Sequence, residues 1–354
     1  MSTVAKKLLQ AKTESAEIVG YQYVGIFGTG TLNVSDVSDI NNITAVDSLS
    51  DGALTIVFPH GSAFDRDRSL LFVGDPIGDE IVCIDLSDPA NLVSRDTITS
   101  STRLNFVQGI SASTDRQLIF AGCGTSTSPS KSLSAIDYSD PDNLAFSGNP
   151  FNVGYLYKGC ACTEDGNTFF VSEGDDLIAI DSTNTSSMSE LDHYHLSLAG
   201  QLKTIRIDEA NDVMYGIGHS DSSFLSYDIS NPSSLSYRDV ITDNTNLDEV
   251  DVLQIDLTNN YAFVMTQLGK LSSFDISDPD NLVRKDTLFD SDFDTNSSYR
   301  SIALDIERKL IFCVSRSNGR KLAIVSYDDV ENLTKLTTHT FTSGNNGGGI
   351  VLFN

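Results

Sequence analysis

Tryptophan is absent from the 354 residues, and glutamate, cysteine and cationic side chains are scarce. The missing indole removes the strongest aromatic platform for stacking a sugar ring. Lysine and arginine total 23 against 49 acidic residues, a net charge of -26. Such a field repels the phosphate backbone of nucleic acid and the anionic face of a membrane. No stretch approaches the ~20 consecutive apolar residues of a bilayer span. Only ten acidic residues are glutamate, which leaves 39 aspartates. Aspartate favours turns over helices, because its short side chain bonds nearby backbone amides.

The five cysteines form no disulfide framework. Cys83, Cys123 and Cys313 sit inside apolar runs, as small buried hydrophobes do. Cys160 and Cys162, two apart, share one strand face, and no neighbouring pair completes a zinc quartet. The apolar run at Leu8 and Leu9 is cut at once by Gln10 and Lys12, too short for an export signal. Residues 1–20 read instead as a short amphipathic helix with Ser2 or Thr3 as its N-cap. Val4, Lys6, Lys7, Leu8, Leu9 and Lys12 make it a basic anchor on an acidic protein.

What the chain does have is repetition. A turn signature recurs as DVSDINNI from Asp36, DLSDPANL from Asp85, DYSDPDNL from Asp137, DISNPSSL from Asp228 and DISDPDNL from Asp275. Degenerate copies begin at Asp181 and Ser326, so seven copies fill the chain at a period of 44 to 52 residues. An alternating apolar run precedes each signature and a second follows it, as in VSRDTIT, LSYRDVIT and VRKDTLF. Further upstream lie a charged turn with a strand and one more short strand, which makes four strands per repeat. The opening Asp and the Ser are expected to accept amide bonds, the Pro to set the turn, and the closing Leu to point into its own blade.

Seven four-stranded units predict an all-β, seven-bladed β-propeller over residues 21–354, with 1–20 as a separate anchor. The first signature has only two strands before it. The chain ends on GGGIVLFN, so Ile350 to Phe353 should complete the first blade. The pattern "strand, D-[VLI]-S-D-P-x-N-L, strand" resembles the LVIVD-repeat family of β-propellers, from about residue 20 to the C-terminus. That resemblance implies a propeller and, in that family, mostly surface or extracellular proteins without an assigned reaction; it implies no catalytic residues.

Loops between second and third strands and between blades are irregular, which makes that face the expected recognition surface. Ser126, Ser128, His219, Arg316 and Arg320 are its candidate partner-binding residues. Asp290, Asp292 and Asp294 alternate as in calcium loops and form a weak calcium candidate, although Thr295 and Ser301 replace the Gly and Glu of that motif. His193 and His195 could co-ligate a metal from one strand face, with no third ligand visible. No other cofactor is expected. There is no G-x-S-x-G, H-E-x-x-H or phosphate-cradling loop, and without tryptophan the docking motif shared by quinone-dependent propellers is missing. A non-enzymatic chain is therefore expected. It would be a structural component of a large assembly, a virion or phage tail, that meets other structural proteins through the anchor and the irregular face. It would bind no nucleic acid and insert in no membrane. The alternative is an extracellular or cell-surface adhesion or ligand-binding module.

Overall fold

The computed structural model describes residues 20–28, 30–50, 61–124, 132–152, 156–195, 202–293, 300–315, 321–341 and 349–354. Seven four-stranded antiparallel sheets form the blades of a propeller. The second and third strands of each blade carry the apolar runs and are buried on both faces; Leu70–Asp75 is buried throughout. Fourth strands lie at the rim and are only partly covered: Val283–Phe289 is exposed at both ends and half-buried between. Second and third strands are sandwiched between neighbouring blades, whereas fourth strands meet solvent.

The C-terminal strand Ile350–Phe353 is the innermost strand of blade 1, antiparallel to Tyr23–Gly28, with Tyr23 opposite Phe353 and Ile26 opposite Ile350. Residues from the two ends of the chain thus close the ring within one sheet. The apolar core is divided in seven, one cluster per blade interface. Cys160 lies in the cluster between blades 3 and 4 and Cys162 packs against it.

The signature turns are held by their own side chains. In all seven copies the first residue accepts the amide of the third, as Asp36 does from Ser38 at 2.8 Å and Ser326 from Asp328 at 3.2 Å. The fourth residue, Asp or Asn, accepts the amide of the sixth. The serine expected as an acceptor donates instead, from Ser38 Oγ to Asp36 and from Ser277 Oγ to Asp275. The closing leucine also differs from expectation. Leu92 and Leu144 pack into the interface with the preceding blade, because the turn folds back across the seam between sheets.

These turns and those between first and second strands make up the lower face. The irregular loops and the connections between blades make up the upper face.

Candidate functional site

Side chains on the first strands flank the central channel. Opposite a Phe or Tyr of the second strand, blades 2, 4 and 7 carry Ala63, Ala161 and Ala303. Blades 5 and 6 carry Arg206 and Gln254 in that position. The first strand of blade 5, Leu202–Asp208, and that of blade 6, Val250–Asp256, therefore meet along a polar seam.

The seam runs from the upper rim inward. Lys203 Nζ is 3.1 Å from Asp251 Oδ1, with both side chains largely buried at 12% and 1% exposure. Thr204 Oγ1 donates to the Asp251 carbonyl at 3.2 Å, and Gln267 Nε2 reaches Asp251 Oδ1 at 3.5 Å. Below, Arg206 Nε donates to Gln254 Oε1 and Gln254 Nε2 donates to the Ile302 carbonyl, both at 3.2 Å. Arg206 Nη1 donates to its own strand at the Ile205 carbonyl. Burial pulls the Arg206 guanidinium below its ordinary value, since removal from water disfavours the cation.

His219 closes the seam at the rim, half-buried in the loop after the second strand of blade 5. Its Nδ1 lies 2.9 Å from the Val250 carbonyl, which can only accept. That bond fixes the proton on Nδ1 and leaves the lone pair on Nε2. Burial, and then the Lys203 charge, hold its pKa below the usual histidine value. The imidazole is therefore neutral at pH 7. A fixed tautomer with an open lone pair, beside a buried ammonium and carboxylate, can accept a proton from water.

Of the other expected recognition residues, Ser126, Ser128, Arg316 and Arg320 lie outside the described residues, as do Val4, Lys6, Lys7, Leu8, Leu9 and Lys12. Only His219 is placed, and sequence reasoning missed its neighbours Lys203 and Asp251 and, further down the seam, Arg206 and Gln254.

The calcium candidate is arranged differently from the expectation. Lys335 Nζ contacts Asp290 at 2.7 Å and Asp292 at 2.8 Å, and Lys321 Nζ contacts Asp292 at 2.6 Å. Two ammonium groups thus neutralise the two carboxylates, and Asp294 lies outside the described residues. His193 and His195 converge on Asp176, at 3.0 and 2.5 Å. The hydrogen bond to Asp176 raises the His193 pKa. Among the described residues no group of three or more His, Cys, Asp or Glu is arranged to hold a metal ion.

No protein-family model and no curated protein matches the chain. Solved structures do. A functionally unknown protein of Desulfotomaculum acetoxidans aligns with a TM-score of 0.75 at 11% identity, over 94% of this chain and 99% of that one. The periplasmic gluconolactonase of Pseudomonas aeruginosa aligns at 0.73 and 11%, over 94% and 99%. A Bacteroides fragilis protein provisionally described as a 6-phosphogluconolactonase aligns at 0.76 and 9%, over 96% and 100%. At these identities the likeness shows the shared fold.

It also corrects the expectation of a non-enzymatic chain. Proteins described as lactonases are built on this architecture, so the absence of linear catalytic motifs excludes nothing here. A propeller assembles a site from blades about one repeat apart, as Lys203 and Asp251 are, and no contiguous motif records that.

Proposed function

We propose that the upper rim between blades 5 and 6 is a hydrolytic site for a cyclic ester of the sugar-lactone class. His219 Nε2 takes a proton from water as the oxygen adds to the lactone carbonyl. The oxyanion that forms lies in the field of the Lys203 ammonium. The ring C–O bond then breaks, the imidazolium returns its proton to the leaving alkoxide, and a hydroxy acid is released. The single observation that carries this reading is the His219 Nδ1 bond to Val250, which leaves Nε2 as a base. The fold shared with the gluconolactonase supports the substrate class.

The test is the opening of gluconolactone and 6-phosphogluconolactone at mildly acidic pH, where spontaneous opening is slow. His219→Gln should lower the catalysed rate by about a hundredfold or more, as general-base loss does. The wild-type rate should rise through a pKa below that of a free histidine. A wild-type rate equal to the uncatalysed one for both lactones would sink the reading.

A second reading makes the chain a protein-binding component of an assembly such as a virion or phage tail, or an LVIVD-type surface module. It is supported by the lower face, where seven near-equivalent turns repeat one surface around the ring. Pull-down with the full chain against one starting at Gly20 tests it: particle proteins captured only by the full chain support an anchored assembly part.

A further inference from the structure

The first strands of blades 5 and 6 each carry a β-bulge at the upper end. In blade 5, Leu202 lies opposite Gly218 and Thr204 opposite Ile217, so Lys203 is the extra residue. In blade 6, Val250 lies opposite Thr266 and Val252 opposite Met265, so Asp251 is the extra residue. Successive side chains of a regular strand point to opposite faces. A bulge breaks that alternation and re-aims a side chain.

Both bulges aim their extra residue into the seam. Lys203 and Thr204 are consecutive, yet both reach blade 6. The ammonium contacts Asp251 Oδ1 at 3.1 Å, and Thr204 Oγ1 donates to the Asp251 carbonyl at 3.2 Å. Val250 and Asp251 are consecutive, yet both face blade 5. Val250 packs in the apolar core between the two blades, while Asp251 takes the ammonium. Blade 3 has a bulge at the same level with the uncharged Gln108 as its extra residue, so a bulge does not by itself demand a charge.

The pair is largely buried. Taking two charges out of water costs about as much as their attraction gains, so such a pair is a poor staple between blades. A more specific role is visible one residue away. The Val250 carbonyl holds His219 Nδ1 at 2.9 Å, and Asp251 follows Val250 in the chain. One bulged segment therefore fixes both the base and the ammonium of the rim. Burial and then the Lys203 charge lower the basicity of His219; the Val250 bond, Asp251 and Glu249 oppose them.

We propose, on the reading of this rim as a hydrolytic site, that Asp251 is a positioning residue: its carboxylate holds the Lys203 ammonium in the seam and screens that charge from His219. Without it the ammonium would lose its fixed place, and its charge would bear unopposed on the base. Asp251 acts on the lactone only through these two side chains.

Titration of the histidine ring signals of the full chain by NMR tests this with no lactone present. Asp251→Asn should lower the His219 pKa further, by about 0.5 or more. Lys203→Met should raise it, because the cation is gone. The double variant should titrate below Lys203→Met; that difference isolates Asp251 and decides the matter if Asp251→Asn fails to fold. Asp251→Glu keeps the charge and should titrate near the wild type. A pair that only staples the blades would change stability in these variants and leave the His219 titration where it is. An unmoved His219 in the folded variants, or a rise in Asp251→Asn, would overturn the proposal. Lactone rates separate it from the reading beneath it. If the rim hydrolyses lactones, the acid limb of the rate should move with the NMR value in each variant. Titration shifts without any catalysed opening would remove the reaction and leave Asp251 as the residue that sets Lys203 and His219.

Discussion

Asp47 Oδ2, on the fourth strand of blade 1, accepts the backbone N–H of Leu92, in the turn of blade 2, at 2.9 Å. The same bond recurs from Leu144 to Asp96, Leu235 to Asp192, Leu282 to Asp239 and Leu333 to Asp286, at 2.6 to 2.7 Å. Each fourth-strand aspartate thus holds the end of the next blade's turn and seats its leucine in the shared core. Blades 3 and 7 differ: in blade 3 Ser147 Oγ meets Thr185 Oγ1 at 2.9 Å and Gly148 lies against the Thr185 backbone, and in blade 7 Thr337 stands at the aspartate position and its neighbour Thr338 donates to Asp292 at 2.8 Å.

This ladder predicts a graded response. A hydrogen bond to a charged acceptor contributes roughly 1.5–3 kcal/mol, and losing it strands the leucine amide. Asp239→Ala should therefore cost about 2 kcal/mol in urea unfolding. Asp239→Asn keeps an acceptor and should cost less. Substitutions at Asp96 and Asp239 involve separate interfaces and should add. Equal stability of the alanine variant and the wild type would remove these aspartates from the account of the ring.

The closure of blade 1 makes a sharper prediction. All four residues of Ile350–Phe353 are buried, and the Gly349 carbonyl accepts from the Phe27 amide at 3.1 Å. Burying four such side chains is worth on the order of 6–12 kcal/mol before entropy, comparable to a domain's net stability. A chain ending at Gly349 should show no cooperative unfolding transition. Leu352→Ala should cost about 2–5 kcal/mol. Gly25→Val should also destabilise, since its Cβ would meet Val351 Cγ1 at 2.9 Å.

Seven blades and their closure were legible because each repeat carries the same turn and the same strand periods. The aspartates of VSRDTIT and VRKDTLF were visible as recurring letters, yet their partner amides lie one blade further on, and strand periodicity says nothing of contacts between sheets. The polar seam was hidden for the same reason. Lys203 and Arg206 stand in TIRID-type strands that read as core, and Asp251 and Gln254 come 48 residues later. The available signal was a break in the repeat: Arg206 and Gln254 fall where three other blades have alanine. At Asp290 and Asp292 the alternating carboxylates were visible, but Lys321 and Lys335 approach from the strands of blade 7.

That last arrangement sets a pH dependence. The bonds from Lys321 and Lys335 hold the Asp292 carboxyl well below its usual value of 3.8. A carboxyl depressed on folding contributes stability that is fully present above its unfolded pKa and lost as pH falls through the folded one. The contribution should be constant at neutral pH and decline from about pH 4 downward. Asp292→Asn removes it everywhere, at a cost of about 1–3 kcal/mol at pH 7, because the lysines and Thr338 Oγ1 at 2.8 Å lose a charged partner. Variant and wild type should then converge in stability as the solution is made strongly acidic. A calcium ion would have to displace both ammonium groups to reach these oxygens. Millimolar calcium should therefore leave the wild-type melting temperature unchanged, and a calcium-dependent rise abolished by Asp292→Asn would show that the lysines yield to the ion.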